Sequence, residues 1–401
     1  MANPWDEWIP GVLNKRQMGE LLDGGFITSS GSRPKLDHSS INLSLADEAY
    51  IMSKGSVKPS DPPYDRFVSK KIKRAQKISA TDSVYKLEKQ HTYVFKLQEK
   101  LEAPLREAGL IYGQATAKST VGRVDVLARL IVDGMTTYEF FDPEGLQKGL
   151  GEMYLEITPI TFDVSVRPDT SLSQLRLFCG DPRDVIVNSI PLYHTVFRDP
   201  SHKDESIAVS LGLATIGTNC SGIAFRSKSS PTASAPIPLY ETSEKPNPCD
   251  YWNLEVADEH GRLHIQPDVF YILRSKEKLC VPKGVAIYCR ASDETMGEMR
   301  IHYAGFVHPF FGRYREDGKE GTPLIFEVRG HQVPVSLADN EKMANLIFYR
   351  MSEDPEELSD EEKEEEAKGY GSQDLKLSKF FDRFPEGVRR NSDGTLEAAQ
   401  K

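Results

Sequence analysis

The sequence predicts a mainly β chain of two tandem units of similar architecture, with a few short helices. Three observations carry that reading. Most segments alternate apolar and polar residues as strands do, among them Ile41-Asn-Leu-Ser-Leu45, Thr92-Tyr-Val-Phe-Lys-Leu97, Asp163-Val-Ser-Val166 and Pro323-Leu-Ile-Phe-Glu-Val328. Turn-forming residues, 25 Pro and 29 Gly, punctuate these segments along the 401 residues. The chain also repeats itself. Tyr93-Val-Phe-Lys-Leu-Gln-Glu-Lys-Leu-Glu-Ala-Pro104 matches Tyr271-Ile-Leu-Arg-Ser-Lys-Glu-Lys-Leu-Cys-Val-Pro282, and Tyr154-Leu-Glu-Ile157 matches Ile325-Phe-Glu-Val328. Val164-Ser-Val166 matches Val335-Ser-Leu337, and Ser40-Ile-Asn-Leu-Ser-Leu45 matches Ser206-Ile-Ala-Val-Ser-Leu211. Four matches in one order point to a duplicated unit of ordinary domain size.

The elements follow in order. Residues 10–25 read as a short helix capped by Asn14, with Met18, Leu21 and Leu22 on one face and Gly24-Gly25 as the stop. The basic stretch Ser69-Lys-Lys-Ile-Lys-Arg-Ala-Gln-Lys77 reads as a solvated loop or helix face, with phosphate contact as the alternative. Asp199–Asp204 is a polar hinge, Ser227–Asp250 a long Ser/Pro/Thr-rich loop or linker, and the chain beyond Pro385 a frayed end. These features place the first unit at 1–200, the second at 201–351, and an acidic tether with a C-terminal lid at 352–401.

Composition narrows the class. The formal net charge is −10, but the run from Ser352 to Lys368 holds ten acids against two lysines, so it carries −8 and the body is nearly neutral. The acidic balance argues against a broad nucleic-acid-binding surface, which needs a basic footprint. No apolar run reaches the roughly 18 residues of a membrane span, and the N-terminus lacks the basic start and apolar core of a secretory signal. Five scattered cysteines without a Cys-x-x-Cys pair suggest neither a disulfide framework nor a zinc knuckle. The expectation is a reduced, soluble, cytoplasmic protein without membrane or nucleic-acid partners.

Four places can carry chemistry. Lys118-Ser-Thr-Val-Gly-Arg123 offers two hydroxyls, a glycine and an arginine, which suit an oxygen-rich anion; ordinary turn chemistry is the competing reading. Glu156 and Glu327 fall at the same repeat position amid apolar neighbours. Each is either solvent-exposed by strand alternation or enclosed, with burial raising its pKa toward that of a general base. Arg300-Ile-His-Tyr-Ala-Gly-Phe-Val-His-Pro-Phe-Phe-Gly312 is either a turn packed by Phe306, Phe310 and Phe311 or a loop that stacks and reads a base. Lys368-Gly-Tyr-Gly-Ser-Gln-Asp-Leu-Lys-Leu-Ser-Lys379 is either a solvated tail or a lid over a charged ligand. His91 and His194 read as structural.

Taken in this order, the motifs resemble the dCTP deaminase branch of the trimeric dUTPase-like superfamily, in its tandem form, over nearly all of residues 10–382. Asn14-Lys-Arg-Gln through Gly25 is similar to the family's opening helix, and Ser40–Tyr50 to its first strand motif. Ser119-Thr-Val-Gly-Arg123 is similar to its Ser-Ser-x-x-Arg phosphate motif. His302-Tyr-Ala-Gly-Phe-Val-His308 with Pro309–Gly312 resembles its nucleoside-binding turn, Glu327 falls on its catalytic glutamate, and Lys368-Gly-Tyr370 with Gln373 and Lys376 resembles its C-terminal lid. The resemblance implies a distorted β-barrel in each unit and sites between units. The copies depart from one another. Copy two has Thr295-Met-Gly-Glu-Met299 where copy one has Ser119–Arg123, with Arg300 one place off. Copy one has Tyr138-Glu-Phe-Phe-Asp-Pro-Glu-Gly145, a poorer turn that keeps Asp142-Pro143.

The resemblance therefore implies one composite site: phosphates on Ser119, Thr120 and Arg123, base and water on Ala304, Gly305 and Glu327, with His308 and Asp142 in the turns and Glu156 as the second candidate carboxylate. The implied reaction is hydrolysis of the 4-amino group of dCTP to dUTP and ammonia. The zinc-deaminase signature of His-x-Glu with Pro-Cys-x-x-Cys is missing, so a zinc-free mechanism is expected. Magnesium is expected to arrive with the triphosphate, with no dedicated protein ligands. A dUTP diphosphatase, a bifunctional enzyme and a non-catalytic nucleotide sensor remain as alternatives, and a homo-oligomer, dimer or trimer, is expected.

Overall fold

The computed structural model describes residues 3–55, 64, 68, 75–216, 220–233, 235–291, 299–302, 305–315, 317–319, 321–371 and 374–397. In the first unit the strands run Phe140–Phe141, Ile111–Ala117, Ser171–Cys179, Ser40–Met52, Tyr93–Leu101, Glu152–Pro159 and Val126–Val132 across one continuous sheet. Ser40–Met52 serves two layers. Its first residues pair with Ser171–Cys179, its later ones with Tyr93–Leu101, and the register shifts between Leu45 and Ala49. An extra residue at such a shift bends the strand and strengthens its twist, which curls the sheet toward a barrel.

The second unit repeats the plan with Trp252–Glu255, Ala224–Ser227, Phe270–Leu279, Ser206–Ser210, Lys342–Arg350, Val285–Ala291 and Gly305–Val307; Thr322–Gly330 pairs with both Phe270–Leu279 and Met299–His302. The duplication holds to the register. Glu156 lies opposite Val94, and Glu327 lies opposite Ile272, the residue that the repeat aligns with Val94. The fold is mainly β, in two barrel-like units with few short helices.

The opening helix spans Lys15–Asp23. The Asn14 side chain accepts from the Gln17 N–H while Gln17 reaches back to the Asn14 N–H, and the chain leaves the helix at Gly24. Met18 and Leu21 on its inner face are fully buried in a core that also takes Phe95, Trp252 and Phe270, and so joins both units. Each such side chain, taken out of water, contributes about 1.5–3 kcal/mol.

Three segments differ from the sequence expectation. The 227–250 loop contains a short strand, Ile237–Pro238, which pairs parallel to Val164–Val166 and buries Ile237 and Leu239 against the first unit. Over residues 385–397 the chain is packed rather than frayed. Val388 and Leu396 are buried, Arg389–Arg390 pairs with Leu396–Glu397, and Leu254 N–H donates to the Gly394 carbonyl at 2.8 Å. The acidic run is a docked helix rather than a loose tether. Asp360–Glu366 is closed by a Ser359/Glu362 capping box, and Lys15–Glu362 (3.1 Å), Lys283–Glu357 (3.4 Å) and Arg16–Glu353 tie the segment to the body. Exposed pairs of this kind contribute about 0–1 kcal/mol each, so Leu358, buried beneath the segment, carries part of the attachment. Where the tail starts, Val12 bridges to Met351, and a Cβ on Gly11 would meet the Ser352 nitrogen at 2.4 Å; only glycine lets the strands pass there. Among the described residues no helix is long and apolar enough to cross a membrane. Most of the basic stretch at 69–77 lies outside the described residues.

Candidate active site between the two units

Strand Ile111–Ala117 ends in a single helical turn, Ser119–Gly122. The Lys118 carbonyl accepts from Val121 (2.8 Å) and Gly122 (3.1 Å), and the Ser119 carbonyl from Arg123 (3.0 Å). The turn folds Arg123 back so that its Nε donates to Ser119 Oγ at 3.1 Å, with the arginine only 6% exposed. Opposite it, in strand Thr322–Gly330, Glu327 is 4% exposed. Both faces of that strand are covered, so alternation does not carry Glu327 to solvent.

Between them lies a cavity of about 830 Å³. Ser119, Thr120 and Arg123 line it from the first unit, Gly305, His308 and Glu327 from the second, and Lys376 from the tail. Phe306, Phe311 and Phe380 give it an apolar, aromatic wall, and Lys118 adds a further cation to the lining. Burial pushes the Glu327 carboxyl up to about 8, against the opposing charge of Arg123. Burial pulls Lys118 down to about 8, helped by the nearby charge of Lys379. The site thus pairs a carboxyl that exchanges its proton near neutrality with cations and hydroxyls suited to phosphate oxygens.

The tail closes on the phosphate-type element. Arg123 Nη1 donates to the Lys376 carbonyl at 3.3 Å, Ser378 Oγ to the Thr120 carbonyl at 2.6 Å, and Leu377 and Phe380 are buried beside them. Lys376 Nζ reaches the Gly369 carbonyl at 3.2 Å. Two further contacts fix the halves relative to one another. Arg329, two residues past Glu327, pairs at 2.7 Å with Asp125, two residues past Arg123 and fully buried. Arg176 of the first unit, also fully buried, donates to the Ile287 (3.0 Å) and Val307 (3.4 Å) carbonyls of the second and lies 4.1 Å from the Phe306 ring, so it holds the turn at Gly305–His308.

Sequence-derived candidates fall into three groups. Ser119, Thr120, Arg123, Gly305, His308, Glu327 and Lys376 meet in the cavity. Glu156 and Asp142 do not line it. Glu156 is buried against Arg129, with Tyr138 Oη donating to it at 2.9 Å. Asp142 caps the helix Pro143–Lys148 by accepting from Gly145 N–H at 2.7 Å. Ala304 and Gln373 lie outside the described residues, as do Thr295–Glu298, and of Tyr370 only the backbone, in the turn Ala367–Gly371, is described. Arg176 and the Asp125–Arg329 pair were not singled out from sequence, and Lys118 stood at the head of its motif without a role of its own. An arginine inside the apolar run Leu175–Phe178 was the one available signal.

Fold and site together define a duplicated β-barrel protein with a cavity between its units that is lined by hydroxyls, cations and a buried carboxyl. The sequence matches the family models for the 2'-deoxycytidine 5'-triphosphate deaminase N-terminal domain over residues 9–181 and C-terminal domain over residues 187–381. The chain belongs to the dCTP deaminase family of enzymes. Among solved structures it is similar to the 2'-deoxycytidine 5'-triphosphate deaminase from Agrobacterium tumefaciens, at 26% identity and a TM-score of 0.75, covering 86% of this chain and 97% of that one. The native EIAV dUTPase aligns at 15% identity and a TM-score of 0.18, covering 30% of this chain and 89% of that one, too slight a likeness to bear on the fold. No curated protein sequence matches the chain significantly.

Proposed function

We propose that the protein hydrolyses the 4-amino group of dCTP, giving dUTP and ammonia, with Glu327 as the acid–base group. The observation that carries this reading is Glu327 itself: a buried carboxyl poised near 8 in a cavity shared with Arg123. As carboxylate it takes a proton from the water that attacks C4. As carboxylic acid it returns that proton to the departing amine, so one group serves both steps. Ser119, Thr120 and Arg123 bind phosphate oxygens, the arginine through its planar fork. Phe306 and Phe311 offer faces for the base. Magnesium enters as part of the substrate, bound to the triphosphate and keeping most of its waters. Water activation by Glu327 requires no metal-bound hydroxide, in keeping with the missing zinc-deaminase signature.

Incubation of the purified protein with dCTP and with dUTP tests this. Ammonia from dCTP, lost in Glu327→Gln, is the expected outcome. Pyrophosphate release from dUTP without ammonia from dCTP assigns a diphosphatase instead, and binding without turnover assigns a sensor.

A further inference from the structure

Three parts of the chain far apart in sequence bring one side chain each to the same side of the cavity. His38 comes from the turn before strand Ser40–Met52, His308 from the turn after Gly305–Val307, and Glu366 from the end of helix Asp360–Glu366. His38 Nε2 lies 3.2 Å from Glu366 Oε1, His308 Nε2 lies 3.7 Å from Glu366 Oε2, and the donor atoms of all three lie within 4.8 Å of one another. Donors held at about 2.1 Å around a tetrahedral ion stand roughly 3.4 Å apart, so the widest pair of the cluster, within 4.8 Å, closes by up to about 1.4 Å on binding.

The hydrogen-bonding pattern suits a cation. His308 Nδ1 sits 2.6 Å from the Pro309 carbonyl oxygen, which only accepts. Nδ1 therefore carries the hydrogen and Nε2 turns its lone pair toward Glu366, the arrangement that orients a metal-binding imidazole. Glu366 Oε2 is buried without a hydrogen-bond donor among the described residues. The side chains are 12%, 9% and 13% exposed, so water does little to satisfy them. A proton can bridge His38 and Glu366, whereas a divalent ion would be met by a donor atom from each of the three residues.

We propose that His38, His308 and Glu366 bind one divalent transition-metal ion of the zinc type, which clips the C-terminal helix to both units. Two imidazoles and a carboxylate form a donor set that suits zinc and its neighbours, with a fourth position left for water. The ion would fix the segment leading into the tail that covers the cavity. The deamination proposed above does not pass through it, so the two readings fail separately.

Titration of the chelator-treated full-length protein with Co2+, followed by ligand-field absorption, tests the assignment without nucleotide or turnover. Saturation at one ion per chain is expected, displaced by Zn2+, with Zn2+ also raising the melting temperature. Glu366→Gln and His38→Gln should each weaken binding by about 100-fold, at or beyond the upper end of what loss of a mere supporting partner costs. Glu361→Gln, exposed on the same helix, should bind as the unmodified protein does and so controls for loose binding to the acidic run. The proposal is overturned if the unmodified protein shows no saturable one-per-chain binding, a result that needs no variant to fold. It is equally overturned if Glu366→Gln binds Co2+ as tightly as the unmodified chain.

Discussion

Glu156 and Glu327 occupy one position of a duplicated strand pair, and what lies beside each on the other flanking strand separates them. Across from Glu156 is Arg129, whose guanidinium bonds the carboxylate; across from Glu327 is His302, and the carboxyl faces the cavity instead. Duplication supplied two carboxyls, and Arg129 with Tyr138 holds the first of them in a structural pairing.

Glu327→Gln should therefore lower kcat by about 10²–10⁴, the usual contribution of a positioned acid–base group. Glu156→Gln should leave kcat close to that of the unmodified protein and cost about 1–3 kcal/mol of stability, because it weakens a charge-assisted bond to Arg129. Steady-state kinetics paired with denaturant unfolding separates the two effects.

The pH profile of kcat/KM should be a narrow bell near pH 8. Below about 8 the Glu327 carboxyl is protonated, and the base form grows with pH. Above about 8 Lys118 loses the charge that meets phosphate. Lys118→Arg keeps its charge at every working pH, so the alkaline limb should vanish while the acid limb stays.

Stability should carry the same signature. The folded state holds a proton on Glu327 that the unfolded chain releases near 4.5, so this contribution is whole below that value and is lost as pH rises toward 8. Melting temperatures of the unmodified protein and Glu327→Gln, compared from pH 5 to 8, should diverge in favour of the variant.

Arg329→Ala leaves Asp125, fully buried and already pushed up to about 6 by its burial, without its cation. Breaking one side of such a pair costs about 3–5 kcal/mol. Asp125→Asn in the same chain should restore much of that, which a double-mutant cycle reads directly.

Ser378→Ala removes one hydrogen bond between tail and Thr120. A net loss of about 1 kcal/mol predicts a rise in the KM for nucleotide of roughly 5-fold with kcat little changed.

Local physics made much of this legible in the sequence. The Asn14 cap and Gly24 stop bound the opening helix, alternation marked the strands, and the repeat aligned Glu156 with Glu327. Periodicity could not say that both faces of the Thr322–Gly330 strand are covered, because burial on the second face comes from distant chain. For the same reason Asp125–Arg329, Arg176 and the His38–His308–Glu366 cluster were invisible: their partners are 58 to 328 residues away. The acidic run misled because net charge suggests solvation, while Leu358 and the lysines beneath it do the docking.

Arg123 and Glu327 belong to one polypeptide, so the two halves of the cavity can never drift apart by dilution. Each meets the other at the effective concentration of a tethered partner, about millimolar or higher. A site divided between separate chains would lose its second half as protein concentration fell; here specific activity should hold at any dilution the fold survives. The same linkage frees each unit to keep only what the other lacks.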